Sequence, residues 1–401
     1  MSDANPGEPG EINQPEVSPS TGAEGNPMEQ LLREAQEEAA AAEDASYRVK
    51  LHPPQLQESI FGGWARYTAA EAIDPKSGQP VETPPVYFTG GYGNVKTAPH
   101  LVNLAQSGMN AFSVTLEGKR DSDTSFMAIN NRTGTDYRMK DAYEMRAAQA
   151  SGEAESIISR HQMNKAATLL AAMEEFAISK ADVLAQSEGA LHALLAANTQ
   201  PNKFGVIVLA YPAGHTTQHN LSDAPRNVAH NERYKYQNKV APENSFKADY
   251  AGEEAEGHKQ KVAPGAIVDG GTVALSDHSE VLSDLRSDPD APGVAMVAGL
   301  DDAIYPPEEY LRKLKSASDI DVMLVTEGGH GTRYRRDVME QIKGLSGMVR
   351  DMRTQMREAR DNGIEITREP LRNRLILPAG ISGERRERLL ALADEVDART
   401  E

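Results

Sequence analysis

Ser187 occupies a position in the sequence at which a serine could act as a nucleophile. It follows the short apolar run 182–185 after one intervening residue, Gln186, and precedes a stretch of helical character that begins near Gly189. Ala185 and Gly189 stand two positions before and two positions after the serine, and small residues there fit a sharp turn from strand to helix. The first N–H groups of that helix would point at the oxyanion formed during attack on an acyl carbonyl. The pattern therefore indicates acyl chemistry at Ser187.

A glycine-rich segment follows another apolar run, 86–88, upstream of the serine. Its residues Gly90, Gly91, Tyr92 and Gly93 would let the backbone approach a ligand and direct N–H groups towards it. The segment contains neither G-x-G-x-x-G nor Gly-Lys-Ser/Thr, which argues against a phosphate-binding loop. An ordinary glycine turn remains the alternative to a loop that binds an oxyanion.

Two acids and a histidine follow two later apolar runs. Asp301 and Asp302 come after the run 294–298, and His330, framed by glycines, comes after the run 322–326. The imidazole could accept the serine proton, and a carboxylate could orient that imidazole. Either aspartate could be that carboxylate, and Asp301 could instead cap the following turn.

A metal site is the competing interpretation of the histidines. His215 and His219 follow the apolar run that ends at Ala210, and imidazoles are common zinc ligands. No carboxylate spacing accompanies this pair, and they fit a solvated insertion better. The chain has no cysteine, which excludes disulfides and thiolate metal sites. We therefore expect no metal and no organic cofactor.

Together these segments resemble the α/β-hydrolase family, over roughly residues 86–331. Ser187, Asp302 and His330 occur in the order Ser…Asp…His that this family has. The family commonly places its acid three residues after a strand-ending glycine, and this spacing selects Asp302 over Asp301. The resemblance thus implies a nucleophile, an orienting acid and a general base at these three positions.

The resemblance also assigns the segments around the serine. Segment 90–93 would be the oxyanion loop, with Gly90 where the family usually has histidine. Ala185 replaces the first glycine of the family's turn around the nucleophile. The backbone N–H groups of Tyr92 and Glu188 would then form the oxyanion hole.

Six short apolar runs, separated by turn signals and helical stretches, predict buried strands of a parallel sheet. They are 86–88, 111–116, 182–185, 206–210, 294–298 and 322–326. Between two of them, the stretch 164–179 carries apolar residues at spacings of three and four. The alternation predicts an α/β fold with a doubly wound, mostly parallel sheet, and a polar cap insertion after the strand that ends near Ala210.

Composition divides the chain into segments of different character. Residues 1–47 are rich in Pro, Gly, Glu and Ser, which predicts a disordered acidic tail. Residues 48–335 would form the α/β-hydrolase core, and 212–262 a polar cap or lid inserted into it. Residues 336–401 would form C-terminal helices.

The C-terminal part has a seam of apolar residues at alternating spacings of four and three. It comprises Val338, Ile342, Leu345, Val349, Met352 and Met356. Such a seam could pair in a coiled coil and act as a self-association surface. Gly344 and Gly347 weaken a long free helix and favour docking on the sheet. A final helix is predicted over 384–398.

The net charge of −18 opposes binding to nucleic acid and to anionic membrane surfaces. The amino terminus has no basic and apolar regions of a secretory signal. No run approaches the about 18 apolar residues of a transmembrane helix. We therefore expect a cytoplasmic protein without a transmembrane segment.

The predicted activity is that of a serine hydrolase that cleaves a small-molecule carboxylic ester, or less favourably an amide or thioester, through an acyl-enzyme on Ser187. The polar insertion argues against a triglyceride lipase and leaves a carboxylesterase, a monoacylglycerol hydrolase or a lysophospholipid hydrolase. Two alternatives belong to other classes. One is a non-catalytic binding or scaffold protein, and the other is an enzyme of different chemistry on the same fold, such as an acyltransferase or a cofactor-free peroxidase.

Overall fold

A computed structural model describes ten strands, six α-helices with continuous bounds and a further helical segment at 163, 166–167 and 169–175, within the residues 47–53, 55–58, 64–89, 98–117, 163, 166–167, 169–214, 276–330, 336–365 and 368–399. The strands are β1 (Arg48–Leu51), β2 (Gln55–Glu58), β3 (Trp64–Ile73), β4 (Val86–Thr89), β5 (Ala111–Glu117), β6 (Ala181–Gln186), β7 (Phe204–Ala210), β8 (Gly293–Gly299), β9 (Val322–Thr326) and β10 (Leu375–Ile376). The helices are α1 (Ala98–Gln106), α2 (Gly189–Thr199), α3 (Ser279–Ser287), α4 (Pro307–Lys313), α5 (Arg336–Asp361) and α6 (Gly383–Ala398). In this part of the chain, no helix combines the length and the apolar character that a membrane crossing requires.

The strands form one sheet in the order β1-β3-β5-β4-β6-β7-β8-β9-β10, with β2 also paired to β3. From β5 to β10 all neighbours are parallel, whereas β3 is antiparallel to β1, β2 and β5. β4 lies between β5 and β6, which are the next two strands along the chain, so the order of the strands reverses direction at β4. This reversal of direction leaves a crevice at the carboxyl ends of β4 and β6, where open α/β sheets bind ligands.

Helices cover both faces of the sheet. On one face, α1 and α5 pack on alternate strand residues through Leu101, Leu104, Ile342 and Leu345. On the other face, α2, α3, α4 and α6 bury a second set of apolar side chains against the sheet. The prediction of a doubly wound, mostly parallel sheet is therefore confirmed. The polar insertion expected at 212–262 lies outside the described residues from position 215 onward.

The apolar seam of α5 docks on the sheet. Val338, Ile342, Leu345 and Val349 are all buried in the core on that face. Gly293 at the start of β8 makes room for this contact, because a Cβ there would lie 2.4 Å from a methyl carbon of Val349. Docking, which the two glycines of the helix favour, is the observed arrangement for these four residues, whereas Met352 and Met356 at the end of the seam are half-buried.

Replacing Leu345, whose exposure is 0%, tests this docking. We expect Leu345→Ala to lower the free energy of unfolding by about 2–5 kcal/mol, because it leaves a cavity between α5 and the sheet. Urea denaturation measures the loss. Ile364→Ala, at a side chain 60% exposed, is the control and should change stability by less than about 0.5 kcal/mol. A loss that varied with protein concentration would instead indicate self-association through this helix.

Candidate active site

Ser187 lies on the turn between β6 and α2, at the crevice described above. Its φ angle of 51° falls in the left-handed region, which residues other than glycine rarely adopt. Backbone hydrogen bonds hold it there: its N–H donates to the Ala210 carbonyl over 2.9 Å, and its carbonyl accepts from the Ala213 N–H over 3.0 Å. The turn is thus anchored to the end of β7, and the serine is 6% exposed.

The small residues on either side of the serine lie in tightly packed positions. Ala185 is completely buried, with β4 on one side of it and β7 on the other. Gly189 is buried at the first position of α2. Both positions lie in the packed interior, where little space is left for a larger side chain.

A second pair of polar residues lies beside the serine. The Glu188 side chain is 2% exposed, and its Oε1 lies 3.7 Å from Nε2 of the completely buried His192, one helical turn further on. The spacing of four residues on α2 produces this contact. Of the histidines, His192 is one that sequence reasoning did not single out, although its position four residues after Glu188 was a usable signal.

Asp302 and His330 come together at the same edge of the sheet. Nδ1 of His330 lies 2.8 Å from Oδ2 of Asp302. The other carboxylate oxygen, Oδ1, accepts from the N–H groups of Ile304 over 2.8 Å and of Tyr305 over 3.0 Å. An ionised carboxylate can only accept, so the proton on this side belongs to Nδ1, and Nε2 is left as the basic nitrogen of the ring.

The loop between β9 and His330 folds back across the end of β8. The N–H of Leu300 donates to the Thr326 carbonyl over 2.8 Å, and the N–H of Asp301 donates to the Gly328 carbonyl over 2.9 Å. Gly299 permits this approach, because a Cβ there would lie 2.7 Å from the Gly328 carbonyl oxygen. The chain therefore carries His330 from the end of β9 towards the crevice.

Two tyrosines flank the imidazole of His330. The ring of Tyr305 lies 5.4 Å and the ring of Tyr211 5.8 Å from the imidazole, centroid to centroid. Tyr211 has a φ angle of 51°, and its hydroxyl shares a 3.1 Å hydrogen bond with the hydroxyl of Thr326. Because Tyr211 follows β7 and the backbone at Ala210 and Ala213 binds Ser187, this ring links the serine turn to the histidine loop.

Burial raises the pKa of the Tyr305 hydroxyl, and the negative charges of Asp302 and Glu188 raise it further. The carboxylate that contacts His330 and the carboxylate beside Ser187 thus act on the same phenol. At neutral pH Tyr305 keeps its proton and presents a neutral aromatic face to the imidazole. Sequence reasoning did not identify either tyrosine, although both follow the carboxyl ends of strands, where site residues collect.

The other site residues predicted from the sequence either lie away from His330 or lie outside the described residues. Asp301 is 39% exposed on its side chain and faces Arg385 at 3.8 Å, so of the two acids it is Asp302 that reaches His330. The glycine-rich segment Gly90, Gly91, Tyr92 and Gly93 lies outside the described residues, as do His215 and His219. Among the residues that are described, no cluster of three or more potential metal ligands occurs.

The comparisons with known proteins gave matches at the level of structure alone. No family model matches the sequence, and no curated protein sequence matches it. A carboxylesterase from the thaumarchaeon Nitrososphaera gargenis is 16% identical, with 74% of this chain and 98% of that chain covered and a TM-score of 0.45. A 2-hydroxy-6-oxo-6-phenylhexa-2,4-dienoate hydrolase from Rhodococcus sp. strain RHA1 is 15% identical, with 75% and 100% covered and a TM-score of 0.46. An esterase from Exiguobacterium antarcticum is 13% identical, with 74% and 99% covered and a TM-score of 0.45.

Proposed function

We propose that this chain is a serine hydrolase that cleaves carboxylic esters through an acyl-enzyme on Ser187. The observation that carries the proposal is the 2.8 Å contact between Nδ1 of His330 and Oδ2 of Asp302, at the sheet edge where Ser187 occupies a left-handed turn. A strained serine and an oriented imidazole at one crevice form the arrangement that acyl transfer needs.

In the proposed mechanism His330 is the general base and Asp302 the orienting acid. Nε2 of His330 takes the Ser187 hydroxyl proton while Oγ attacks the ester carbonyl carbon. The protonated imidazole then gives this proton to the departing alkoxide, and the acyl group stays on Oγ as an ester. Water attacks the acyl-enzyme by the same route, returns the proton to Ser187 and releases the carboxylic acid. Asp302 stays ionised throughout and stabilises the imidazolium.

The oxyanion of the tetrahedral intermediate needs two hydrogen-bond donors. The N–H of Glu188, directly after Ser187 at the start of α2, is suited to be one of them, because the positive end of the helix dipole lies there. The N–H of Tyr92 is proposed as the other, on the basis of the glycine-rich sequence that surrounds it. Each such donor contributes about 3–4 kcal/mol to transition-state stabilisation in serine hydrolases.

Hydrolysis of 4-nitrophenyl esters of graded acyl length tests the proposed activity. We expect a rapid initial burst of 4-nitrophenol followed by slower steady turnover, which is the kinetic signature of an acyl-enzyme. Rates equal to those in buffer, with protein shown to be folded, would contradict the proposal and favour a non-catalytic binding protein. Added alcohols provide a further arm, because transfer of the acyl group to them in preference to water would indicate an acyltransferase.

Gly299→Ala tests whether the position of the His330 loop matters for activity. The added Cβ would meet the Gly328 carbonyl oxygen at 2.7 Å and the Gly329 carbonyl carbon at 3.2 Å, so the loop must move. We expect kcat/KM for the ester to fall on the order of 10²-fold, because displacements of about 1 Å have effects of that size. Gly347→Ala, where a Cβ meets nothing within 4 Å, is the control and should keep full activity. Equal activity of both variants would contradict the described loop contact.

A further inference from the structure

A cleft rich in arginine lies at the opposite edge of the sheet from Ser187. It has a volume of about 600 Å³ and is bordered by the end of α3, the segment before β8 and the C-terminal half of α5. We call this cavity the arginine cleft. The arginines that line it are Arg286, Arg353, Arg357, Arg360 and Arg368. Two carboxylates, Asp288 and Glu365, also line it. In a chain with 60 acidic and 42 basic residues, this local excess of cations is unusual.

Three of the five arginines have carboxylate partners. Asp321, which is completely buried, pairs with Nη2 of Arg286 over 2.8 Å and with Nη2 of Arg368. Arg360 pairs with Asp290 over 2.9 Å and with Asp361 over 3.1 Å. The charges of these three guanidinium groups are thus at least partly balanced within the protein.

Arg353 and Arg357 lack such a partner among the described residues. Nη2 of Arg353 donates to the carbonyls of Pro289 over 3.2 Å and Ala291 over 2.9 Å. Nη2 of Arg357 makes only long contacts of 3.4 Å with the carbonyls of Asp290 and Ala291. A carbonyl accepts a hydrogen bond but brings no charge, so among the described residues these two guanidinium groups have no direct ion-pair partner.

The donors of the arginine cleft are also incompletely used. The Nε atoms of Arg353, Arg357 and Arg368 are buried and have no hydrogen-bond acceptor in the described part of the chain. Arg353 is only 7% exposed, so its unused donor carries the full cost of desolvation. Buried polar groups are rarely left in this condition unless a ligand or ion completes the site.

The guanidinium groups of the arginine cleft act on one another. Burial lowers the pKa of Arg353, and the cations Arg368 and Arg357 lower it further, against the opposing effects of Asp321 and Asp290. Burial likewise lowers the pKa of Arg286 to about 10, where Arg353 and Arg368 contribute to the decrease and Asp321 and Asp319 oppose it. An anion in the cleft would relieve this repulsion between like charges.

We propose that the arginine cleft binds a small molecule that carries a phosphate group, with Arg353 and Arg357 as the principal contacts. Planar guanidinium groups bind phosphate oxygens through paired hydrogen bonds, and a phosphate would accept from the buried Nε donors that have no acceptor among the described residues. The volume of about 600 Å³ is in the range of small-molecule sites and leaves room for an organic part beside the phosphate.

This site is separate from the proposed ester site. Arg286 and Arg353 bind the segment that enters β8 at Gly293, whereas Asp302 follows the exit of β8 at Gly299. The seven residues of β8 span roughly 20 Å at about 3.3 Å per residue. Phosphate binding is therefore testable without reference to ester hydrolysis, and its failure would leave the proposed activity intact.

Calorimetric titration of the full chain with inorganic pyrophosphate, at constant ionic strength, tests the proposal. We expect saturable binding by the unaltered protein. Arg357→Gln should bind at least about 10-fold more weakly, because the loss of one charged hydrogen bond to a phosphate lowers affinity by about this factor. The 3.4 Å contacts of Arg357 are weak, so this change should leave the fold intact. Arg372→Gln, at a 46% exposed arginine paired with Asp394, is the matched control and should bind like the unaltered protein.

One further variant and one further ligand complete the test. Arg353→Lys keeps the charge but loses the planar fork, and we expect weaker binding with unchanged thermal stability of the ligand-free protein to within a few degrees. Titration with malonate, a dicarboxylate, tests whether the arginine cleft binds any dianion or prefers a phosphate. Absence of saturable binding up to about 10 mM pyrophosphate, equal binding by Arg357→Gln and Arg372→Gln, or tighter binding of malonate than of pyrophosphate would each overturn the proposal.

Discussion

Ser187→Ala is expected to lower kcat/KM for a 4-nitrophenyl ester by on the order of 10⁴- to 10⁶-fold. The variant loses the oxygen on which the acyl-enzyme forms, while any oxyanion hole and the substrate pocket remain. A small residual rate above that in buffer would be consistent with those remaining features. Steady-state kinetics with an enzyme concentration high enough to detect this residual rate provide the measurement.

The matched control is Ser346→Ala, at a buried serine of α5 whose hydroxyl lies 3.4 Å from Asp182 at the far edge of the sheet. It should keep activity within a few-fold of the unaltered protein. Ser187→Ala should also unfold at a similar denaturant concentration, because alanine fits the space of serine. Retention of more than a tenth of the activity in a pure, folded Ser187→Ala preparation would remove this serine from the mechanism.

Asp302→Asn should lower kcat/KM on the order of 10³- to 10⁴-fold. The amide is close to isosteric, but its NH₂ group can face Nδ1 of His330 and donate to it. The imidazole would then carry its proton on Nε2, the nitrogen that must accept the proton of Ser187. The loss should appear mainly in kcat, since Asp302 is completely buried on its side chain and does not border the substrate.

Asp301→Asn separates the two neighbouring acids. Its side chain is 39% exposed and faces Arg385 over 3.8 Å, away from the contact that Asp302 makes with His330. We therefore expect activity within about three-fold of the unaltered protein, because an exposed ion pair at this distance contributes little. The opposite ranking of the two variants would mean that the acid of the site had been assigned wrongly.

The parallel part of the fold was predictable because both of its faces are covered. Strands β4 to β9 consist mostly of apolar residues, and each of the six predicted runs falls within an observed strand. The antiparallel edge was missed for a physical reason. In β3, buried residues such as Ala70 and Ala72 alternate with half-buried ones such as Glu71, so the strand is neither strongly apolar nor rich in β-branched residues.

Strand order depends on contacts between segments that are distant in the sequence. The placement of β5 outside β4 follows from register pairs such as Tyr87 with Phe112 in one direction and Tyr87 with Val183 in the other. No local pattern in either segment encodes these pairs. The sequence therefore indicated the class of fold, and the arrangement that creates the crevice at Ser187 comes from the structure.

The site was predictable where it depends on position along the chain. The acid and the histidine each follow a strand, and parallel strands bring such residues to one edge, where Asp302 and His330 are found in contact. Tyr211 was not predictable in this way, because its role depends on its ring reaching a loop that follows a strand two places away. The contact between Glu188 and His192 is different, because the helix predicted to begin near Gly189 and the spacing of four residues were both visible in the sequence.

Labelling with a fluorophosphonate, read by intact mass and peptide mapping, shows whether Ser187 is an activated nucleophile. An activated serine attacks the phosphorus, expels fluoride and keeps the phosphonyl group on Oγ, and no knowledge of the natural substrate is needed. We expect one adduct per chain, mapped to Ser187, absent from Ser187→Ala and present in Ser346→Ala and Arg357→Gln. A folded protein that takes up no label, or takes it up on another serine, would contradict the proposed role of Ser187.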